Sequence, residues 1–176
     1  MSAWWIIIYL ILERLIELAV SHRNRARLLA RGGREYYQES FRALAMLHVL
    51  FLISLVLESH PWVITLNWWN QLALGCFVLL QVGRYWCIWA LGDNWNTRII
   101  VVPGTTPVNR GPYRYLRHPN YLIVSLEFLV IPMLLHAPLT LAIFFIANVL
   151  LVRQRIRLEE EVLRRETRYG KVFDAG

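Results

Sequence analysis

The sequence predicts an all-α integral membrane protein with about five transmembrane helices, the last two of which form a helical hairpin. Hydrophobic residues make up 57% of the chain, more than a soluble domain of this size normally carries. The net charge of +7 invites a nucleic-acid partner. However, the basic residues cluster at the ends of apolar runs, which is typical of membrane orientation. We therefore expect one membrane domain over residues 1–176 and no nucleic acid as a partner.

The first apolar run, residues 4–20, is long enough for a bilayer span, which takes roughly 20 residues. It contains Glu13, Arg14 and Glu17, and charges inside a span need partners. Glu13 and Glu17 are four residues apart and share a helix face. We expect them to pack and orient the helix, while a catalytic role stays open because an intramembrane charge is a functional candidate.

A basic connector over residues 21–42, broken by Gly32-Gly33, leads to a second span over residues 43–57. That span carries His48, which we interpret as a satisfied packing residue rather than a ligand. The next segment, residues 58–69, has no lysine or arginine and is rich in tryptophan, as an interfacial turn should be.

A third span is expected over residues 70–91. Arg84 lies close to its end and can either snorkel to the interface or face a polar cavity. Residues 1–91 are thus expected to supply three N-terminal spans, and residues 92–176 a loop, a hairpin and a tail.

The most informative stretch is residues 98–127, where prolines, glycines and polar side chains separate two apolar runs. The prolines and glycines between residues 103 and 112 prevent a continuous helix and predict a folded loop. Pro119 suits a first helical position, because its missing N–H would have no intrahelical partner there. The polar residues around this helix N-terminus could bind an anion, or they could merely anchor a membrane helix.

Residues 120–135 and 138–152 are expected to form the hairpin, and the charged tail from residue 153 should continue the last helix. Of the 19 lysines and arginines, six lie in the connector, four in residues 92–120 and seven in the tail. The two opposite turns have none. The positive-inside rule then predicts an external N-terminus and a cytoplasmic C-terminus, so that the loop and the tail share the cytoplasmic face.

The tail holds two pairs with helical spacing, Arg155 with Glu159 and Arg157 with Glu161. Either pair could be an ordinary surface pair on a solvated helix. Their position beside the membrane face that carries His118 makes a functional role more attractive.

Three groups of residues between 84 and 163 form a pattern. They are Arg84 with Gly92-Asp93-Asn94-Trp95-Asn96, then Gly111-x-Tyr113 with Arg117-His118-Pro119-Asn120-Tyr121, and finally Glu159-Glu160 with Leu163. Each motif is weak alone, but their order along the chain and their placement between spans are fairly specific. With these motifs, residues 84–163 resemble the isoprenylcysteine carboxyl methyltransferase family of integral membrane enzymes, which use S-adenosylmethionine.

This resemblance implies a cytoplasmic cofactor pocket built by the loop, the start of the fourth span and the tail helix. Arg84 and Arg155 would face the methyl acceptor. Glu127 is not part of the resemblance, but it lies seven residues beyond Asn120 on the same helix face, so we expect it to bound the pocket or pair with an arginine. No metal is implied. The residues expected at S-adenosylmethionine are Thr106, Pro107, Val108, Tyr113, Arg117, His118, Pro119, Asn120, Tyr121, Glu159 and Glu160.

The chain departs from the eukaryotic members in its short ending after Leu163 and in Glu127, and it looks closer to bacterial members, some of which methylate alkylpyrone hydroxyls. We therefore expect methyl transfer to an oxygen of a lipophilic small molecule, with membrane lipid as surroundings. Two alternatives are a lipid-amine N-methyltransferase, which would favour carboxylates around the pocket, and a non-enzymatic transporter or scaffold.

Overall fold

The computed structural model describes residues 2–65 and 67–173, so Leu66 of the predicted turn and the last three residues of the predicted tail lie outside it. Five long helices and a short sixth one dominate this part of the chain. In chain order the elements are α1 (Trp4–Ala30), β1 (Arg34–Tyr36), α2 (Gln38–Glu58), α3 (Trp68–Leu91), β2 (Ile99–Val101), α4 (Pro119–Leu134), α5 (Pro138–Glu166) and α6 (Tyr169–Phe173).

Three of the described helices are long and apolar enough to cross a membrane. They are α2 (Gln38–Glu58), α3 together with the 3-10 turn that follows it (Trp68–Asn94), and α5 (Pro138–Glu166). Helix α4 is apolar but shorter, and α1 carries the charged residues noted above. The five predicted helices are therefore present, and three of them have the length and composition of a span.

The predicted connector over residues 21–42 is wrong in its first part, because α1 continues without a break to Ala30. No glycine or proline interrupts this stretch before Gly32, so the helix has no local reason to end. The buried Asn24 amide donates to the carbonyls of Gly92 (3.1 Å) and Trp95 (2.8 Å). This contact fastens the extension of α1 to the segment after α3.

The all-α prediction also missed a two-stranded antiparallel sheet, in which β1 pairs with β2 and Glu35 lies opposite Ile100. Glu35 accepts hydrogen bonds from Arg25 (3.0 Å) and Arg98 (2.6 Å). Burial acts to raise the pKa of Glu35, but the hydrogen bonds from Arg98 and Arg25 outweigh it and hold this pKa below its ordinary value. The sheet thus ties the N-terminal helices to the loop before α4.

The predicted hairpin and helical tail are confirmed. Helix α4 begins at Pro119, α5 begins at Pro138, and α5 continues unbroken to Glu166. The core of the bundle is built mainly from buried residues of α1, α2 and α4, and within it Phe51 stacks on Phe128 with ring centroids 4.2 Å apart. Because α4 and α5 form a hairpin and run antiparallel, the start of α4 and the end of α5 meet the loop and the sheet at one end of the bundle.

Gly111 allows the loop to pack closely on α3. Its φ is +57°, and an added Cβ would come 3.0 Å from the Ala90 Cβ and 3.1 Å from the Trp86 Nε1. Gly111→Ala should therefore destabilise the protein by about 1 to 3 kcal/mol, through backbone strain and the displaced α3 contact.

The matched control is Gly75→Ala, because Gly75 lies within α3 and no atom comes within 4 Å of a Cβ placed there. Gly75→Ala should leave the free energy of unfolding unchanged or raise it, because alanine has a higher helix propensity than glycine. Equilibrium unfolding in mixed micelles would compare the two variants, and an equal response of both would contradict the close packing.

Candidate active site

A cavity of about 350 Å³ opens at the end of the bundle where the loop, the sheet and α5 meet. This volume lies within the range of small-molecule pockets, roughly 300 to 1,000 Å³. Its loop half carries most of the polar lining side chains and is formed by residues 94–102, residues 105–108, the start of α4 and the end of α5. Its deeper half is mostly apolar, with Leu18, Leu44, Ala45, Val49, Leu52, Val124 and Val152 beside Arg14, Glu17, His48 and Arg84.

The start of α4 supplies unused hydrogen-bonding groups to the loop half. The residue before the helix, His118, makes no side-chain hydrogen bond to the first turn, so it does not cap the N–H groups there. The Oδ1 atom of Asn120 is buried and has no hydrogen-bond partner among the described residues. A buried orphan acceptor is costly unless a ligand satisfies it, and these groups together suit a bound molecule that carries both a carboxylate and donor groups.

Tyr121 links two charged residues of α5 across the cavity wall. Its hydroxyl donates to Glu159 Oε2 (2.5 Å) and accepts from Arg155 Nε (2.9 Å). Arg155 also donates to Ser40 Oγ (3.0 Å) and to the Thr97 carbonyl (2.5 Å). It is buried, yet it forms no ion pair within the described part of the chain. The wall therefore holds a buried guanidinium and a carboxylate that lines the cavity, and one tyrosine hydroxyl joins the two.

His118 and Glu160 close the wall near the end of α5. The His118 Nε2 and Glu160 Oε1 atoms are 3.0 Å apart, and the Tyr169 hydroxyl donates to the same oxygen at 3.3 Å. Burial, together with the negative charge of Glu160, raises the pKa of Tyr169 to about 12. The hydroxyl therefore stays protonated and remains a donor at neutral pH.

The loop is held against α3 on the other side of the cavity. Arg110 Nε donates to the Ala90 carbonyl (2.7 Å), and the Tyr113 side chain is buried beside Cys87 and Ala90. Burial raises the pKa of Tyr113 well above its ordinary value, so its hydroxyl is neutral. At this point the loop thus presents a neutral tyrosine to the cavity.

An ion cluster forms the floor of the deeper half. The guanidinium of Arg84 donates to both carboxylate oxygens of Glu17 and to Glu127 Oε2 (3.1 Å). Arg14 pairs with Glu17 and Glu127, each at 2.9 Å, and lies 3.5 Å from Glu13. Because Arg84 and Glu127 are only 3% and 2% exposed, these charges depend on one another rather than on water.

The structure brings together most of the residues that the sequence singled out. All of the predicted site residues line the cavity except Pro119, Glu127 and Glu160, and these three adjoin residues that do. Sequence reasoning missed the contribution of α1 and α2 to the wall, above all Arg14, Glu17 and His48. The charges inside the first apolar run were the available signal for the first two.

The fold and the cavity define a membrane protein whose helices enclose a polar pocket that continues into an apolar one. Among residues 2–65 and 67–173, no cluster of three or more potential ligands could hold a metal ion. The profile of the isoprenylcysteine carboxyl methyltransferase family matches residues 73–165, and the chain belongs to this family. It is accordingly a membrane methyltransferase, and methyltransferases of this family use S-adenosylmethionine.

The matched relatives extend the similarity over nearly the whole chain. A Bacillus subtilis protein, uncharacterized protein YpbQ, is 38% identical over 165 residues, which cover 91% of this chain and 95% of the relative. An uncharacterized protein of Haemophilus influenzae is 24% identical over 152 residues, covering 85% and 88%. No solved structure gave a significant match.

Proposed function

We propose that this protein transfers a methyl group from S-adenosylmethionine to an oxygen of a lipophilic small molecule at the cytoplasmic face of a bacterial inner membrane. The acceptor oxygen belongs to a hydroxyl, as in an alkylpyrone, or to a carboxylate, as in an isoprenylcysteine. The N-terminus lies outside and the C-terminus in the cytoplasm, as the distribution of basic residues favours.

The observation that carries the proposal is the buried, unpartnered Asn120 Oδ1 beside an uncapped helix start and the Glu159 carboxylate. These residues fit S-adenosylmethionine, because the cofactor offers a carboxylate to the helix N-terminus and amine or hydroxyl donors to the two oxygens. When bound there, the cofactor supplies an electrophilic methyl group on a sulfonium sulfur. The loop at Thr106, Pro107 and Val108 borders this half and would cover one side of the bound cofactor.

The deeper half suits the acceptor. Its apolar residues on α1, α2, α4 and α5 accommodate an alkyl or prenyl tail, and Arg84, paired with Glu17 and Glu127, lines this half beside the tail. Arg155 lies at the boundary between the halves, and its charge favours a negatively charged oxygen there. The chain's tasks are then to align the acceptor oxygen with the methyl carbon and to keep water out.

One observation favours a second candidate, methylation of a lipid amine. The ion cluster holds Glu13, Glu17 and Glu127 against Arg14 and Arg84, so carboxylates outnumber guanidiniums. This excess of negative charge would stabilise a positively charged amine acceptor. We favour oxygen because only Glu17 of the three lines the cavity, and both of its carboxylate oxygens accept hydrogen bonds from Arg84.

The test is transfer of labelled methyl groups by the purified protein in lipid nanodiscs. Three acceptors with the same tail would be compared: a hydroxypyrone, a prenylcysteine carboxylate and a lipid amine. Label on either oxygen acceptor supports the proposal, and label on the amine alone supports the second candidate. Absence of label on all three, with no binding of S-adenosylhomocysteine, would contradict both.

A further inference from the structure

His48 presents an unused ring nitrogen in the deeper half of the cavity, which it lines together with Arg14 and Glu17. Its Nδ1 lies 2.8 Å from the carbonyl oxygen of Leu44, one turn back on α2. A carbonyl can only accept, so Nδ1 carries the proton, and the neutral ring then has a free lone pair on Nε2. Within the described residues, Nε2 has no hydrogen-bond partner, and it is not enclosed by protein atoms.

The ring is also fixed in orientation. It meets the ring of Phe128 edge-on, with centroids 5.0 Å apart, and the Leu44 hydrogen bond fixes the other side. A histidine needed only for packing would gain nothing from an open Nε2 at a cavity wall. A nitrogen held in place with a lone pair toward a cavity is the arrangement of a hydrogen-bond acceptor for a ligand.

The charges beside His48 can offset a proton that arrives during a reaction. Arg14, Glu17 and Arg84 line the same half of the cavity as His48. The cluster as a whole has three carboxylates for two guanidiniums and so carries one net negative charge when all are ionised. This excess of negative charge offsets part of the positive charge that the ring gains when it accepts a proton.

We propose that His48 Nε2 accepts the hydroxyl proton of the methyl acceptor, which makes the substrate a neutral hydroxyl compound with an apolar tail rather than a carboxylate. This inference rests on the proposed function. The acceptor oxygen forms a bond to the methyl carbon while the carbon–sulfur bond breaks, and the sulfur keeps the electron pair as a thioether. The proton moves from the oxygen to Nε2 and is released to water after turnover.

The experiment uses His48→Phe and His48→Gln in nanodiscs with a series of alkylated phenols of the same tail and increasing acidity, and with a matched carboxylate. Both variants should lower kcat on the least acidic phenol by roughly tenfold or more, because a positioned base contributes about 100-fold or more to proton transfer. The loss should shrink as the phenol becomes acidic enough to ionise unaided. Binding of S-adenosylhomocysteine should stay within twofold of wild type.

A second readout does not depend on turnover. Nitrogen-15 spectra of His48, assigned with the His48→Gln variant, should show a protonated Nδ1 and an unprotonated Nε2 whose shift changes when the least acidic phenol binds. Equal losses on every acceptor, or weaker S-adenosylhomocysteine binding, would overturn the proposal in favour of a packing role. A protonated Nε2 would overturn the proposal as well.

The wild-type protein tests the substrate class. Wild-type protein that binds S-adenosylhomocysteine but methylates only the carboxylate or an amine would overturn the hydroxyl assignment. A wild type that does not bind it would overturn the proposed function itself.

Discussion

Arg84→Met should destabilise the helical bundle by about 3 to 5 kcal/mol, because it leaves Glu17 and Glu127 buried without most of their compensating charge. The remaining partner, Arg14, is partly exposed and cannot balance two carboxylates alone. The measurement is equilibrium unfolding of the purified variant in mixed micelles. Arg42→Met is the matched control, since Arg42 and its partner Glu39 are both largely exposed, and it should change stability little.

The loss caused by Arg84→Met should be largely reversed when Glu17→Gln and Glu127→Gln are added, because the uncompensated charges are then removed. Such a reversal would separate a charge effect from a packing effect. Two results would mean that the described ion cluster does not stabilise the protein. One is an Arg84→Met variant as stable as Arg42→Met, and the other is a triple variant that unfolds more easily than Arg84→Met.

Glu159→Gln should weaken the binding of S-adenosylmethionine by roughly ten- to a hundredfold, because a hydrogen bond to a charged group contributes about 1.5 to 3 kcal/mol. The carboxylate lines the cavity and accepts a hydrogen bond from the Tyr121 hydroxyl, which fixes its orientation toward a bound ligand. Calorimetric titration of the purified variant would measure the loss, with a thermal unfolding curve to establish that the variant is folded.

Glu161→Gln is the control for this change. Glu161 lies two residues further along α5, does not line the cavity and accepts a hydrogen bond from the Tyr37 hydroxyl instead. The Glu161→Gln variant should therefore bind S-adenosylmethionine as tightly as the wild type does. Comparable weakening in both variants would mean that the general charge of α5, and not a specific contact, governs cofactor binding.

Local chemistry made much of this fold predictable from the sequence. Pro119 and Pro138 mark helix starts because proline fits a first helical turn, and both helices begin there. The loop before α4 follows from its prolines and glycines. The unbroken run from α5 into the tail follows from the absence of either residue between Pro138 and Glu166.

The remaining features depend on contacts between distant segments, which a single sequence does not reveal. The strand at Arg34–Tyr36 is short, and its pairing with Ile99–Val101 becomes favourable only once α1 and α3 bring the segments together. The pairing of Arg84 with Glu17 and Glu127 likewise requires α1, α3 and α4 to be packed. The open Nε2 of His48 was missed because its sequence neighbours are all apolar and typical of a packing residue.

The central claim is that the cavity at the loop end of the bundle holds S-adenosylmethionine. Its most direct test is calorimetric binding of S-adenosylmethionine and S-adenosylhomocysteine to the wild type in detergent and in lipid, compared with Asn120→Leu. We predict binding of both by the wild type, and weaker binding of both by the variant because Asn120 Oδ1 is then lost as an acceptor. A folded wild type that binds neither compound in either medium would contradict the account.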